Sequence, residues 1–151
     1  MQVIQQVMST EVWTIDSAAT LLEAEQFLLA TGASELYALD RSERVVGVLP
    51  DYELLKTRIM EPLGQMLVRE RMFPVSYSLR PTSTLMEAAA LLRLNIHRRL
   101  PVMDQGKLCG IVTRTDVLAI LAQEQTESAT PPAPQFLRQA ASNASPAGIE
   151  R

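Results

Sequence analysis

Cysteine, histidine and tryptophan each occur once in these 151 residues, and aromatic side chains make up only 5 %. The lone Cys109 excludes an internal disulfide framework, and with a single His97 it also excludes an ordinary zinc site. One histidine and one cysteine on separate elements leave no plausible Ser-His-Asp or Cys-His arrangement. No Gly-x-x-x-x-Gly-Lys run is present, so no Walker phosphate loop is expected. The chain therefore reads as a non-enzyme that requires no cofactor. No apolar stretch reaches the ~18–20 residues of a membrane helix. The opening MQVIQQVMST lacks a positively charged segment and a long apolar core, so no signal peptide is expected and the reading is cytoplasmic.

What is present is an ordinary soluble composition, 47 % hydrophobic and 21 % charged, with a net charge of −3. The mild acidity argues against nucleic acid as a partner of the whole chain. The cluster Arg93, His97, Arg98 and Arg99 also lacks interleaved aromatics. The charge is uneven. Residues 1–63 carry a balance of −6, residues 64–128 carry +2 and residues 129–151 carry +1. An anionic ligand is expected nearer the second half.

An internal repeat organises the chain. Thr20-Leu21-Leu22-Glu23-Ala24 returns as Thr84-Leu85-Met86-Glu87-Ala88, at an offset of 64. Met8 and Met72, Ile15 and Leu79, Leu36 and Leu100, and Asp40 and Asp104 share that offset. Gly47-Val48-Leu49 then matches Gly110-Ile111-Val112 at 63. The slip falls between Arg41-Ser42-Glu43-Arg44 and Gln105-Gly106-Lys107, where a turn tolerates it.

Each repeat reads β-α-β-β-α. The first strands are expected at Val12–Ile15 and Val75–Leu79. Thr-x-x-Glu then opens a helix as a capping box in both copies. Leu85, Ala88, Ala89 and Leu92 form one buried face. Strand pairs follow at Leu36–Leu39 with Val45–Leu49, and at Leu100–Met103 with Leu108–Val112. Helices near Asp51–Met60 and Arg114–Ala122 close the units. Pro62 and Gly64 break the chain between them. A unit of ~60 residues is marginal alone, so the two are expected to pack together. Cys109 reads as a small buried hydrophobe.

Met72…Leu79-Arg80-Pro81-Thr82-Ser83-Thr84-Leu85-Met86-Glu87-Ala88, Arg99-Leu100-Pro101-Val102-Met103-Asp104 and Gly110-Ile111-Val112-Thr113-Arg114-Thr115-Asp116 together resemble a cystathionine-β-synthase (CBS) domain. The first repeat resembles a more divergent copy, and the two resemble a tandem CBS pair, or Bateman module. The resemblance implies an α+β fold of two pseudo-symmetric repeats packed sheet to sheet. The expected boundaries are 1–62, a first repeat with a degenerate site; 63–123, a second repeat with the ligand site; and 124–151, a disordered tail. It also implies a regulatory module that binds AMP, ADP, ATP or S-adenosylmethionine between the repeats, forms a homodimer and signals to a separate effector protein. The alternative is a ligand-free dimerisation or docking module.

The expected site residues are Thr113, Asp116, Arg114, Arg98, Arg99, Pro101, Ser76 and Tyr77. Helix N-terminal N–H groups attract phosphate, and the Thr113 hydroxyl can donate to it. The Asp116 carboxylate suits the vicinal hydroxyls of ribose. Thr113 and Asp116 also fit a plain capping box, and both readings stay open. Arg98 and Arg99 correspond to Ser34 and Glu35 in the first repeat, and Arg114 adds to the local cations. Tyr77 and Pro101 offer flat walls for a purine, and Ser76 is a polar contact. The first repeat puts Pro50 where the second has Thr113, and Glu53 where it has Asp116. Proline offers neither hydroxyl nor N–H, so the first cleft is expected to be weak or empty.

Overall fold

The computed structural model describes residues 2–94 and 98–128. These fall into two units, the first ending at Val117. The described part of the second is the remainder of one helix, up to Ser128. His97 and the expected tail from residue 129 onward lie outside the described residues.

The first repeat contributes β1 (Thr14–Asp16), α1 (Leu21–Thr31), β2 (Glu35–Leu39), β3 (Val45–Pro50) and α2 (Asp51–Met60). The second contributes α3 (Leu85–Leu92), β4 (Arg99–Asp104), β5 (Lys107–Thr113) and α4 (Arg114–Ser128). The sheet of the first repeat runs β1-β2-β3, with β1 parallel and β3 antiparallel to β2. In the second repeat β4 and β5 form an antiparallel pair. The strand expected at Val75–Leu79 contracts to a single parallel bridge between Leu79 and Val102. Pro74 and Pro81 flank that segment and remove donors a longer ladder would use. The bridge carries two bonds: Leu79 N–H donates to the Pro101 carbonyl (2.9 Å) and Met103 N–H to the Leu79 carbonyl (2.8 Å).

The helix starts follow the sequence with one exception. Thr84 and Glu87 form the full reciprocal box, with Glu87 N–H donating to Thr84 Oγ1 (3.2 Å) and Thr84 N–H to Glu87 Oε2 (3.0 Å). In the first repeat Thr20 accepts from Glu23 N–H at 3.1 Å, but the Glu23 carboxylate does not return the bond. Leu85, Ala88 and Leu92 are buried as their spacing requires, and Ala89 is half-buried. The β4–β5 turn is the two-residue Gln105-Gly106, both at positive φ (53° and 82°). This is the hairpin geometry that fits the strand twist. The longer β2–β3 connection absorbs the slip in the repeat. α4 runs to Ser128, past residue 123, so the first residues of the expected tail are helical. Cys109 is half-exposed rather than buried.

The repeats interlock by exchanging their leading segments. The short 3₁₀ turn Ile4–Gln6 docks on the second repeat, and its counterpart Val68–Glu70 docks on the first. Ile4 N–H donates to the Ser83 carbonyl at 2.8 Å, and Val68 N–H to the Ala19 carbonyl at 2.8 Å. Ile4 and Val68 are both fully buried, and Val68 belongs to the first-repeat core with Leu21, Ala24, Leu36 and Leu49. Ser9 then pairs with Ile111 on β5, and Phe73 pairs with Val48 on β3.

This crossing explains the paired glycines. A Cβ on Gly47 would stand 2.6 Å from Met72 Sδ and 3.0 Å from the Phe73 carbonyl oxygen. On Gly110 it would stand 2.7 Å from both Met8 Sδ and the Ser9 carbonyl oxygen. Only glycine lets the exchanged segment lie this close.

Candidate functional site

A cleft of about 860 Å³ opens where the repeats meet. One wall is the β3–α2 corner, with Val48, Pro50, Asp51 and Tyr52. The exchanged segment Phe73–Tyr77 forms the second wall, and the β4 start, Arg98 to Pro101, forms the third. Ser34, Glu35 and Tyr37 complete it. The volume lies in the range of small-molecule sites.

Its chemistry is mixed. Tyr52 and Phe73 stack with ring centroids 6.3 Å apart at 29°. Tyr77 and Pro101 stand in the same cleft, supplying flat apolar surface for a planar ring. Pro50 occupies the N-cap of α2 and provides no side-chain cap. Asp51 N–H donates to the Ser34 carbonyl at 2.9 Å, which ties the helix start to the approach of β2.

One ion pair bridges the walls. Arg99 Nε lies 3.7 Å from Glu35 Oε1, and Tyr37 donates its hydroxyl to the same oxygen at 3.0 Å. Glu35 and Arg99 are the offset-64 counterparts of each other, so equivalent positions face one another across the pseudo-twofold axis. Two identical copies would oppose like charges there. Burial pushes the Glu35 carboxyl above the ordinary carboxylate range, with Asp51 adding to the rise; the Tyr37 hydrogen bond and Arg99 pull the other way. Burial also raises the Tyr37 hydroxyl, reinforced by the Glu35 charge and hydrogen bond, so it stays a donor.

The eight expected site residues separate into two groups joined at Arg99. Ser76, Tyr77, Arg98, Arg99 and Pro101 line this cleft, whereas Thr113, Arg114 and Asp116 do not. Thr113 is instead the ladder partner of Arg99, as Pro50 is of Glu35. Thr113 and Asp116 make the reciprocal box at the α4 start: Asp116 N–H donates to Thr113 Oγ1 (3.2 Å), and Thr113 N–H donates to Asp116 Oδ2 (2.9 Å). The Thr113 hydroxyl proton and Asp116 Oδ1 stay available beyond that box. Arg114 has a structural bond that the sequence did not reveal. Its Nε and Nη2 donate to the Leu92 and Leu94 carbonyls, both at 2.6 Å, closing the end of α3. Two of its five donors are thereby occupied.

The cleft wall from the first repeat was the part sequence reasoning discounted. Pro50 and Glu53 depart from the Thr-x-x-Asp pattern, yet the corner they flank borders the cleft described above. The missed residues include Glu35 and Tyr37, which meet Arg99, and Asp51, Tyr52 and Phe73. Asp51 and Tyr52 directly follow the departing proline, and that adjacency was the available signal. Phe73 carried none, because its place depends on the segment exchange.

The CBS domain family model matches residues 4–59 and again 68–123. A CBS domain-containing protein of Dictyostelium discoideum is 32 % identical over 130 residues, covering 78 % of this chain and 90 % of that protein. The crystal structure of CBSX2 from Arabidopsis thaliana in complex with AMP superposes with a TM-score of 0.68 at 27 % identity, covering 83 % of this chain and 99 % of that one. The cytosolic domain of the Mg²⁺ channel MgtE in complex with ATP gives a TM-score of 0.69 at 28 % identity, over 78 % of this chain and 48 % of that one. With both repeats matched and the exchanged two-repeat fold in place, this chain belongs to the CBS domain family as a tandem CBS pair.

Proposed function

We propose that this chain is a non-catalytic regulatory module that binds an adenosine-containing ligand in the cleft between the β3–α2 corner and the β4 start. The observation that carries the reading is the composition of that 860 Å³ cleft, where aromatic and proline faces stand beside two arginines and two carboxylates. The adenine ring lies against Tyr77 and Pro101, with Ser76 at its edge. Asp51 accepts from the ribose hydroxyls, and Arg98 and Arg99 hold the phosphate. Similarity to proteins solved with AMP and with ATP supports an adenine nucleotide. Thr113 and Asp116 are assigned the phosphate and ribose contacts of a second, pseudo-equivalent site at the α4 start. Arg114 serves there by fixing the end of α3. Ligand state passes to a separate partner protein, which requires affinity to differ between two conformations.

The test is thermal unfolding with AMP, ADP, ATP and S-adenosylmethionine on wild type, Asp51→Ala and Asp116→Ala. A ligand at ~100 times its dissociation constant stabilises by about 2.7 kcal/mol. A shift lost in Asp51→Ala and kept in Asp116→Ala supports the described cleft, and the reverse result moves the ligand to the α4 start. No shift with any ligand favours the docking reading.

One observation favours that second reading, and it also supports a homodimer. Tyr52, Leu55 and Ile59 recur at i, i+3 and i+7 on α2 and are 63 %, 62 % and 75 % exposed. Such a stripe suits burial against a second copy. Leu55→Glu is expected to shift the molecule to a monomer in sedimentation.

A further inference from the structure

We propose that Glu35 is the specificity-determining residue of the cleft: a carboxylate built into the wall that competes with anionic ligands for Arg99. The proposal rests on ligand binding in this cleft, as proposed above. Glu35 lines the cleft, its side chain is only 20 % exposed, and one oxygen serves both the Tyr37 hydroxyl and the Arg99 guanidinium. A phosphate reaching Arg99 must displace this internal partner or share the cation with it.

The groups around Glu35 set the balance. On its own strand Tyr37 donates to the carboxylate. From the β4 start come Arg99, at 3.7 Å, and Arg98. From the α2 start comes Asp51, a second negative charge that opposes ionisation of Glu35. Tyr52 and Tyr77 are the remaining titratable side chains of the cleft walls. Two carboxylates and two arginines leave no net positive charge to attract a highly charged anion. A ligand with few negative charges is favoured over a polyphosphate as long as Glu35 is ionised. Burial already disfavours that ionised form, so acidification releases Arg99 toward the ligand at a higher pH than an ordinary glutamate would allow.

The experiment compares AMP with adenosine by calorimetry on wild type, Glu35→Gln, Arg99→Gln and the double variant. Gln keeps the shape of the side chain and an acceptor for Tyr37, so Glu35→Gln removes the charge alone. Glu35→Gln is expected to tighten AMP about threefold to tenfold and to leave adenosine unchanged. In the Arg99→Gln background the same change is expected to give no gain, which isolates the coupling. The advantage of the variant for AMP is expected to shrink toward unity as the pH falls; the titration of AMP itself is common to both proteins and cancels. If AMP and adenosine bind wild type and Glu35→Gln with the same ratio, the proposal is overturned while cleft binding stands. If Glu35→Gln gains as much in the Arg99→Gln background, the carboxylate acts otherwise than through Arg99 and the proposal is likewise overturned. If neither AMP nor adenosine binds wild type or the variants, the binding reading itself fails and the proposal falls with it.

Discussion

Ile15 and Leu79 occupy equivalent places in the two repeats. Ile15 sits inside a three-residue parallel ladder, whereas Leu79 makes one bridge and stops. The same inequality recurs at the helix starts, where Thr84 and Glu87 bond reciprocally but Glu23 leaves Thr20 unanswered. It recurs again at the closing helices, with a bare Pro50 in one copy and the Thr113–Asp116 box in the other. Other positions have stayed alike. Gly47 and Gly110, Met72 and Met8, Leu36 and Leu100, and Ala24 and Ala88 all lie in buried packing or at the crossing of the exchanged segments. Packing tolerates little change, while the cleft walls and the pseudo-twofold axis admit different chemistry in each copy. The duplication therefore preserved a frame and released its two corners to diverge.

The crossing glycines provide the largest expected break in that symmetry. Gly110→Ala is expected to cost about 1–3 kcal/mol in urea unfolding, because the added methyl meets the Ser9 carbonyl as well as a side chain. Gly47→Ala is expected to cost less, since the Phe73 carbonyl oxygen it meets stands 3.0 Å away, against 2.7 Å for Ser9, and its closer neighbours belong to the flexible Met72 side chain. Equal costs would mean that the two crossings are equally tight.

A smaller difference separates the closing helices. Asp116→Ala removes a side-chain acceptor from the α4 start and is expected to cost about 1 kcal/mol, the usual scale of a lost cap. Glu53→Ala, at the counterpart position, makes no such cap and is expected to stay within about 0.5 kcal/mol. Chemical denaturation of both variants reads the contrast directly.

The opening helices differ by less again. Glu87→Ala breaks the returned bond to Thr84 N–H and is expected to cost a few tenths of a kcal/mol to about 1 kcal/mol. Glu23→Ala breaks no returned bond and is expected to fall below it. A larger loss at Glu23 would show that its carboxylate caps α1 after all.

The last comparison, Glu35 against a neutral isostere, is one of sign. With its carboxyl raised above the 4.5 of an ordinary glutamate, folded Glu35 holds its proton more strongly than the unfolded chain does. The stability it contributes is full below that ordinary value and is lost as the pH rises through the raised one. The melting temperature of Glu35→Gln relative to wild type is therefore expected to climb across that window. A falling difference would mean that the Arg99 contact outweighs burial.

Much of the fold was legible because its signals are local. The Thr-x-x-Glu pattern, the apolar face of α3 and a turn within Gln105-Gly106-Lys107 each depend on neighbours a few residues away. The site was legible only in part. Arg98, Arg99, Ser76, Tyr77 and Pro101 do meet in one cleft, but the wall facing them comes from the first repeat. Thr113 and Asp116 advertised a helix start, and the structure gives them that bond. The hold of Arg114 on Leu92 and Leu94 spans about twenty residues and left no local pattern.

The sequence alone determined that the chain is duplicated, and all but one of the expected helices and strands with their order, because helix and strand periods are written in adjacent side chains. Only the tertiary structure decided which copy each leading segment completes. Ile4 and Val68, like Met8 and Met72, are so similar that either could fill either socket on chemical grounds. The choice rests on the path of the chain in space, and with it the choice of walls that form the cleft and the meeting of Glu35 with Arg99.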